Sequence, residues 1–156
     1  MIFIIEDMGE GTAIWDPLRR REVPLTPEER VRQRFISVLM EEMKVPRHMM
    51  MSEVQLTYGS ACVSSLGSGI RRGKTWRADI VVYGRNAEPV AAVECKRPEV
   101  PLGADVAEQL LRYDMVLNVR YLIITNGRET RVFVRGDEGF EPSGKLPLWE
   151  EMTKDR

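Results

Sequence analysis

Apolar side chains recur at helical spacing in two parts of the chain. Between residues 31 and 43 they return every three or four positions, which predicts an amphipathic helix. Thr26-Pro27 is a typical helix start, because threonine caps the first turn and proline fits its first position. The same spacing returns over residues 103–118 and predicts a second helix.

Between and after these helices the pattern changes to that of strands. Residues 52–58 alternate between apolar and polar side chains, as in a strand with one buried face. Two apolar runs within residues 76–96 flank a turn-rich break, which predicts a β-hairpin. The continuous apolar run at 121–125 is typical of a strand covered on both faces, and the alternating run at 130–135 predicts a further strand.

The predicted hairpin carries charged residues where its strands should be buried. If the turn is centred on Asn86-Ala87, Tyr83 faces Val90 and Asp79 faces Glu94. Two carboxylates directly opposed on one sheet face repel each other, and the pairing destabilises the sheet. A divalent cation between them would turn this repulsion into a net attraction. Mg²⁺ prefers oxygen ligands and is often held by one or two carboxylates.

Lys96 belongs to the same group, since side chains two apart on a strand share a face and Glu94 precedes it by two. Its ammonium group could act as a point charge for a phosphate oxygen or an attacking water. A simpler interpretation is equally open at this point. Lys96 could neutralise Glu94 in an ordinary salt bridge, with Asp79 at a solvated strand end.

Composition places limits on the class of protein. The chain has 156 residues, which favours one domain, and its net charge of -1 gives no global signal for nucleic acid. Its two cysteines, Cys62 and Cys95, form no CxxC motif, and Cys95 is predicted to lie in the core. Residues 1–5 are apolar but too short for a signal peptide, and no run approaches a membrane span. We therefore expect a reducing, cytoplasmic setting.

A Gly- and Ser-rich stretch at residues 59–74 is predicted to be a long loop. Residues 68–75 nearly match the phosphate-binding P-loop, but Ser68 replaces the required glycine and a strand, rather than a helix, follows. The basic residues of this stretch suit phosphate contacts next to Asp79, or they simply form a solvated loop. They are Arg71, Arg72 and Lys74.

Taken together, these segments resemble the PD-(D/E)xK nuclease superfamily, and more closely the N-terminal nuclease domain of type I restriction enzyme R subunits. The matching text is LTPEERVRQRFISVL, RADIVVYG, VAAVECKRP and AEQLLRYDMVLNVRYLIITNG, within residues 24–135. The resemblance implies an α/β, restriction-endonuclease-like core with a mixed central sheet flanked by helices, in the order α-β-β-β-α-β. We expect an N-terminal arm at 1–24, the nuclease-like domain at 25–136 and a peripheral tail at 137–156.

The resemblance also implies a metal site. Asp79 and Glu94 would bind Mg²⁺, for which Mn²⁺ may substitute, and the carbonyl of Cys95 would add a ligand. Lys96 would position or activate water and stabilise the phosphate as it reacts. The reaction would be metal-assisted hydrolysis of a DNA phosphodiester bond.

Further roles follow from the same resemblance. Glu29 would match the family's acidic helix residue and orient metal-bound water, although the residues alone do not separate it from Glu28, and both could simply favour the helix start. Gln109 and Tyr113 would match an accessory motif that contacts DNA.

The expected partners are DNA and the helicase motor and specificity subunits of a restriction system. The proline of the superfamily's name is replaced by Ala78. We expect no motor within these 156 residues. The alternative function is a catalytically silent DNA-binding or assembly module with the same fold.

Overall fold

The structure, a computed structural model, describes residues 12–57, 75–103, 106, 108 and 118–154, without the side chains of residues 56, 57, 75 and 76. A 3₁₀ turn, Arg47–Met49, lies between the long helix and the third strand. The helices and strands of this part of the chain are β1 (Ala13–Asp16), β2 (Arg21–Pro24), α1 (Pro27–Glu41), β3 (Met50–Thr57), β4 (Thr75–Tyr83), β5 (Pro89–Cys95), β6 (Tyr121–Thr125), β7 (Thr130–Gly136), β8 (Gly139–Ser143) and α2 (Trp149–Met152).

Six of the strands form one sheet in the order β3-β4-β5-β6-β7-β8. The β5–β6 pair is parallel and the other four neighbouring pairs are antiparallel. The parallel pair needs a crossover connection, which the chain supplies between residues 95 and 121. The mixed sheet confirms the predicted α/β class.

Helix α1 begins as the sequence predicts and covers one face of this sheet. The Thr26 side chain accepts a hydrogen bond from the Glu29 backbone N–H at 3.1 Å. An apolar stripe on the helix then packs with side chains of β4 and β5 into one core cluster. The buried helix residues of that cluster are Val31, Phe35, Ile36 and Leu39.

A second apolar cluster contains Val81, Ala92, Leu122 and Ile124 from the central strands. Val106 packs against it, and both Val106 and Glu108 are helical. These two residues belong to the predicted helix at 103–118, whose other residues are outside the described part of the chain apart from Gly103 and Asn118.

The hairpin register is confirmed over three pairs and changes at the turn. Ile80 pairs with Val93 and Val82 with Ala91, as a turn centred on residues 86 and 87 requires. The predicted pair of Tyr83 with Val90 is wrong, because a bulge after Val82 shifts Tyr83 opposite Pro89.

Both ends of the described chain pack onto the core. In the segment predicted to be an arm, β1 and β2 form a separate hairpin, and the Leu18 side chain in its turn contacts the α1 cluster. In the segment predicted to be a peripheral tail, β8 extends the sheet and Met152 is buried in the same cluster. These ends pack because each carries apolar side chains that the sheet and α1 can cover. No helix in the described ranges combines the length and hydropathy needed to cross a membrane.

Candidate functional site

The candidate site lies where β3 and β4 depart from regular pairing. Ser52 pairs with Ile80 and Val54 with Ala78, so Glu53 and Asp79 stand between two regular pairs. Glu53 has a backbone φ of 55°, in the left-handed region that non-glycine residues rarely adopt. Strained backbone of this kind is concentrated at functional sites and is maintained by the surrounding structure.

Both carboxylate oxygens of Asp79 are hydrogen-bonded. Oδ2 accepts from the backbone N–H of Cys95 at 2.7 Å, and Oδ1 accepts from Nη2 of Arg32 at 2.9 Å. Asp79 is only 8% exposed. Its orientation is therefore fixed by β5 on one side and by α1 on the other.

Burial raises the pKa of Asp79 to about 6, and the charges of Glu94 and then Glu28 add to the increase. The hydrogen bond from Cys95 and the charge of Arg32 act in the opposite direction. The negative charge of Glu94 thus opposes the ionisation of Asp79, and an added cation would favour that ionisation. Burial also raises the pKa of the Cys95 thiol well above its ordinary value, which disfavours a thiolate as a metal ligand.

Glu94 and Lys96 form an ion pair at the end of β5. Lys96 Nζ lies 3.3 Å from Glu94 Oε1, and the Lys96 backbone N–H donates to the Thr125 carbonyl at 2.8 Å. The salt bridge agrees with the simpler interpretation of these residues. The burial and double hydrogen bonding of Asp79 do not agree with a solvated strand end.

Glu29 lies in a network of ion pairs beside this site. Its Oε1 contacts Nη2 of Arg19 and accepts from Nε2 of Gln33 at 2.9 Å, and its Oε2 lies 3.3 Å from Nη1 of Arg32. Glu28, by contrast, acts on Asp79 through its charge. Arg32 thus connects Glu29 to Asp79, and Glu28 is a second acidic group near the site.

Sequence reasoning did not identify Arg32, Arg19, Asp16 or Glu53. A signal for Arg32 is present in the chain, because Ile36, Leu39 and Met43 follow it on one buried stripe of α1 and its extension. A cation at a buried position requires acidic partners. The partners themselves come from other elements, so helical spacing alone does not name them.

The remaining predicted site residues lie outside the part of the chain that the structure describes. They are Arg71, Arg72 and Lys74 of the predicted basic loop, and Gln109 and Tyr113 of the predicted accessory motif. Their roles stay predictions.

The donor set suits a hard divalent cation. Within residues 12–57, 75–103 and 118–154, no three His, Cys, Asp or Glu side chains are grouped as metal ligands. The predicted ligands, which are the carboxylates of Asp79 and Glu94 and the carbonyl of Cys95, would supply oxygen atoms, and water or phosphate would fill the other positions. That arrangement is the usual one for Mg²⁺.

Comparisons with known proteins give a family for the chain and a solved structure with a similar fold. Residues 27–147 match the family model described as "Type I restriction enzyme R protein N terminus (HSDR_N)". No curated protein matches the chain. A solved fragment of a protein assigned as the HsdR subunit of a type I restriction enzyme from Vibrio vulnificus YJ016 has a similar fold, with a TM-score of 0.57 and 24% identity. The match covers 82% of this chain and 24% of the solved one, so this chain spans about a quarter of that length.

Proposed function

We propose that this chain, which belongs to the family of type I restriction enzyme R protein N termini, is a Mg²⁺-dependent nuclease domain that hydrolyses DNA phosphodiester bonds. The observation that carries the proposal is the placement of Asp79. Its carboxylate is buried, oriented by two hydrogen bonds, and influenced by the charge of Glu94. Two neighbouring carboxylates repel each other, and a bound divalent cation would offset that repulsion.

Asp79, Glu94 and the carbonyl of Cys95 would hold the metal ion. Bound Mg²⁺, or Mn²⁺ in its place, would supply Lewis-acid stabilisation of a phosphoryl oxygen. The backbone N–H of Cys95 keeps Asp79 Oδ2 in place, so the ligand is oriented before the metal arrives.

Lys96 would orient the attacking water and stabilise negative charge on the phosphate. Its ammonium follows the end of β5 directly and is held 3.3 Å from Glu94 Oε1. Because that side chain is partly exposed, it can also reach a phosphate oxygen of bound DNA. The Glu29 carboxylate already has three polar neighbours, so its effect on water would act through Arg32 and Gln33.

We further propose that the domain works in the cytoplasm with DNA and with the motor and specificity subunits of a type I restriction system. The family match supports the part of this proposal that concerns DNA and the other subunits.

Nicking of supercoiled plasmid and calorimetric Mg²⁺ binding test the function directly. Asp79→Ala and Lys96→Ala should each reduce the cleavage rate by about 10²–10³-fold, since a preorganised charged group contributes that much to such reactions. Asp79→Ala should also abolish Mg²⁺ binding. Asp137→Ala, at an exposed carboxylate between β7 and β8, is the matched control and should cut like the wild type.

Wild-type cleavage by both variants would contradict the assignment. Salt-dependent DNA binding without cleavage and without a metal requirement would identify a silent DNA-binding module instead.

A further inference from the structure

A buried guanidinium is paired with the carboxylate proposed to bind metal. Arg32 is 5% exposed, although it lies on the long helix rather than on the sheet that carries the site. Its Nη2 donates to Asp79 Oδ1 at 2.9 Å. An ionised hydrogen bond of this kind is among the stronger ones in proteins.

The rest of the Arg32 side chain faces two more carboxylates. Nη1 lies 3.2 Å from Oε1 of Glu53 and 3.3 Å from Oε2 of Glu29. Nε is buried and has no hydrogen-bond partner within the described part of the chain. The guanidinium is therefore held by the three carboxylates around it, although one of its N–H donors lacks a hydrogen-bond acceptor among the described residues.

A turn residue from the N-terminal hairpin keeps these carboxylates in place. Arg19 contacts Glu29 and Asp16, and its Nη1 lies 3.3 Å from Oε1 of Glu53. Glu29 and Glu53, two of the three acidic partners of Arg32, are thus also paired with Arg19. The family match begins at residue 27, so this support comes from residues that precede the matched span.

We propose that Arg32 is a positioning residue that acts as the resident counter-cation of the metal site, holding Asp79 in place and competing with the metal for it. The inference rests on the proposed function. A divalent cation that approaches Asp79 meets a guanidinium already bonded to one oxygen, and the two positive charges repel. Metal binding therefore requires weakening of the Arg32–Asp79 pair.

If Arg32 has this role, its replacement should change the metal affinity in the opposite direction to the replacement of a residue that only supports the structure. Arg32→Met removes the competing charge, so the metal affinity should rise, with a Kd about tenfold lower than in the wild type. A residue that only supported the shape of the site would, when removed, weaken metal binding. Arg32→Lys keeps the charge and should leave the Kd close to the wild-type value.

Calorimetric titration with Mn²⁺ at pH 8 measures these affinities. The matched control is Arg34→Met, because Arg34 is an exposed arginine on the same helix. Its Kd should equal that of the wild type. Unchanged or weaker binding by Arg32→Met, or equally tight binding by Arg32→Met and Arg32→Lys, would overturn the proposed role.

A measurement on the unmodified protein covers the case in which Arg32→Met does not fold. Mg²⁺ is used for this NMR titration because it is diamagnetic, unlike Mn²⁺. The guanidinium nitrogen signals of Arg32 should shift as Mg²⁺ is added. No shift at saturation would overturn the inference. Absence of metal binding by the wild type and by Arg34→Met would refute the proposed function itself, and this inference with it. Metal binding with an unresponsive Arg32 would refute the inference alone.

Discussion

The two ends of the β4–β5 hairpin differ sharply although they share the same strands. Over Ile80–Val82 and Ala91–Val93 every side chain is apolar and almost fully buried. Asp79 and Glu94 are directly next to these pairs in the chain, and Lys96 follows Glu94 two residues later. These three side chains make hydrogen bonds and an ion pair.

The comparison separates what stabilises the fold from what prepares the site. The apolar end gains free energy from burial, which grows with apolar area. The charged end places Asp79 where burial opposes its ionisation, beside the strained backbone of Glu53. We therefore expect changes at the apolar end to act on stability and changes at the charged end to act mainly on metal binding.

The largest expected effect is at the apolar end. Ile80→Ala should lower the free energy of unfolding by about 2–5 kcal/mol, because truncation of a fully buried isoleucine removes apolar contacts and leaves a cavity. Urea denaturation followed by circular dichroism measures the change.

Met51→Ala is the matched control, since Met51 lies on the neighbouring strand and is 56% exposed. Its free energy of unfolding should change by no more than about 0.5 kcal/mol. Equal losses in the two variants would show that burial does not distinguish this end of the hairpin.

An intermediate effect is expected in the ion-pair network that supports the charged end. Asp16 is 0% exposed, and its carboxylate contacts the Arg19 side chain and two backbone N–H groups. Burial alone would raise the pKa of Asp16, but these hydrogen bonds and the Arg19 charge outweigh it and hold the pKa below its ordinary value of 3.8. Asp16→Asn should therefore lower the free energy of unfolding at pH 7 by about 1.5–3 kcal/mol.

The lowered pKa fixes the sign of the pH dependence. The stability that Asp16 contributes is fully present above its unfolded pKa and is lost as pH falls through the lower folded value. The difference between wild type and Asp16→Asn should accordingly shrink below about pH 3.8 in denaturation experiments. The exposed Glu22→Gln on the same hairpin should show no comparable difference. A difference independent of pH would mean that the Asp16 charge is not what stabilises the turn.

Local pattern explains how much of this fold the sequence predicts. The β6 strand was predicted at its observed bounds, because a continuous apolar run between turns has few other solutions. The register of the pairs Ile80–Val93, Val81–Ala92 and Val82–Ala91 followed from the turn position and the strand period of two. The bulge at Tyr83 has no comparable signal in the strand pattern.

The ion-pair network could not be predicted in the same way. Arg32, Glu53 and Arg19 belong to three elements that meet only in the folded chain. The sequence allows Glu29 simply to favour the start of its own helix, whereas tertiary contacts direct its carboxylate to arginine. Charged residues on a buried stripe indicate that partners exist, but only the tertiary structure identifies them.

The smallest expected effect on stability is at the centre of the charged end. Asp79→Asn should change the free energy of unfolding of the metal-free protein by about 1 kcal/mol or less at pH 7. The amide oxygen can still accept from Cys95, and Arg32 keeps Glu29 and Glu53 as counter-charges, while the burial penalty on the carboxylate disappears. Mg²⁺ binding measured by calorimetry should nevertheless be lost, whereas Asp137→Asn should alter neither quantity. If Asp79→Asn lost as much stability as Ile80→Ala, the ion pairs of the charged end would stabilise the hairpin as strongly as apolar burial does. The proposed division between the two ends would then be wrong.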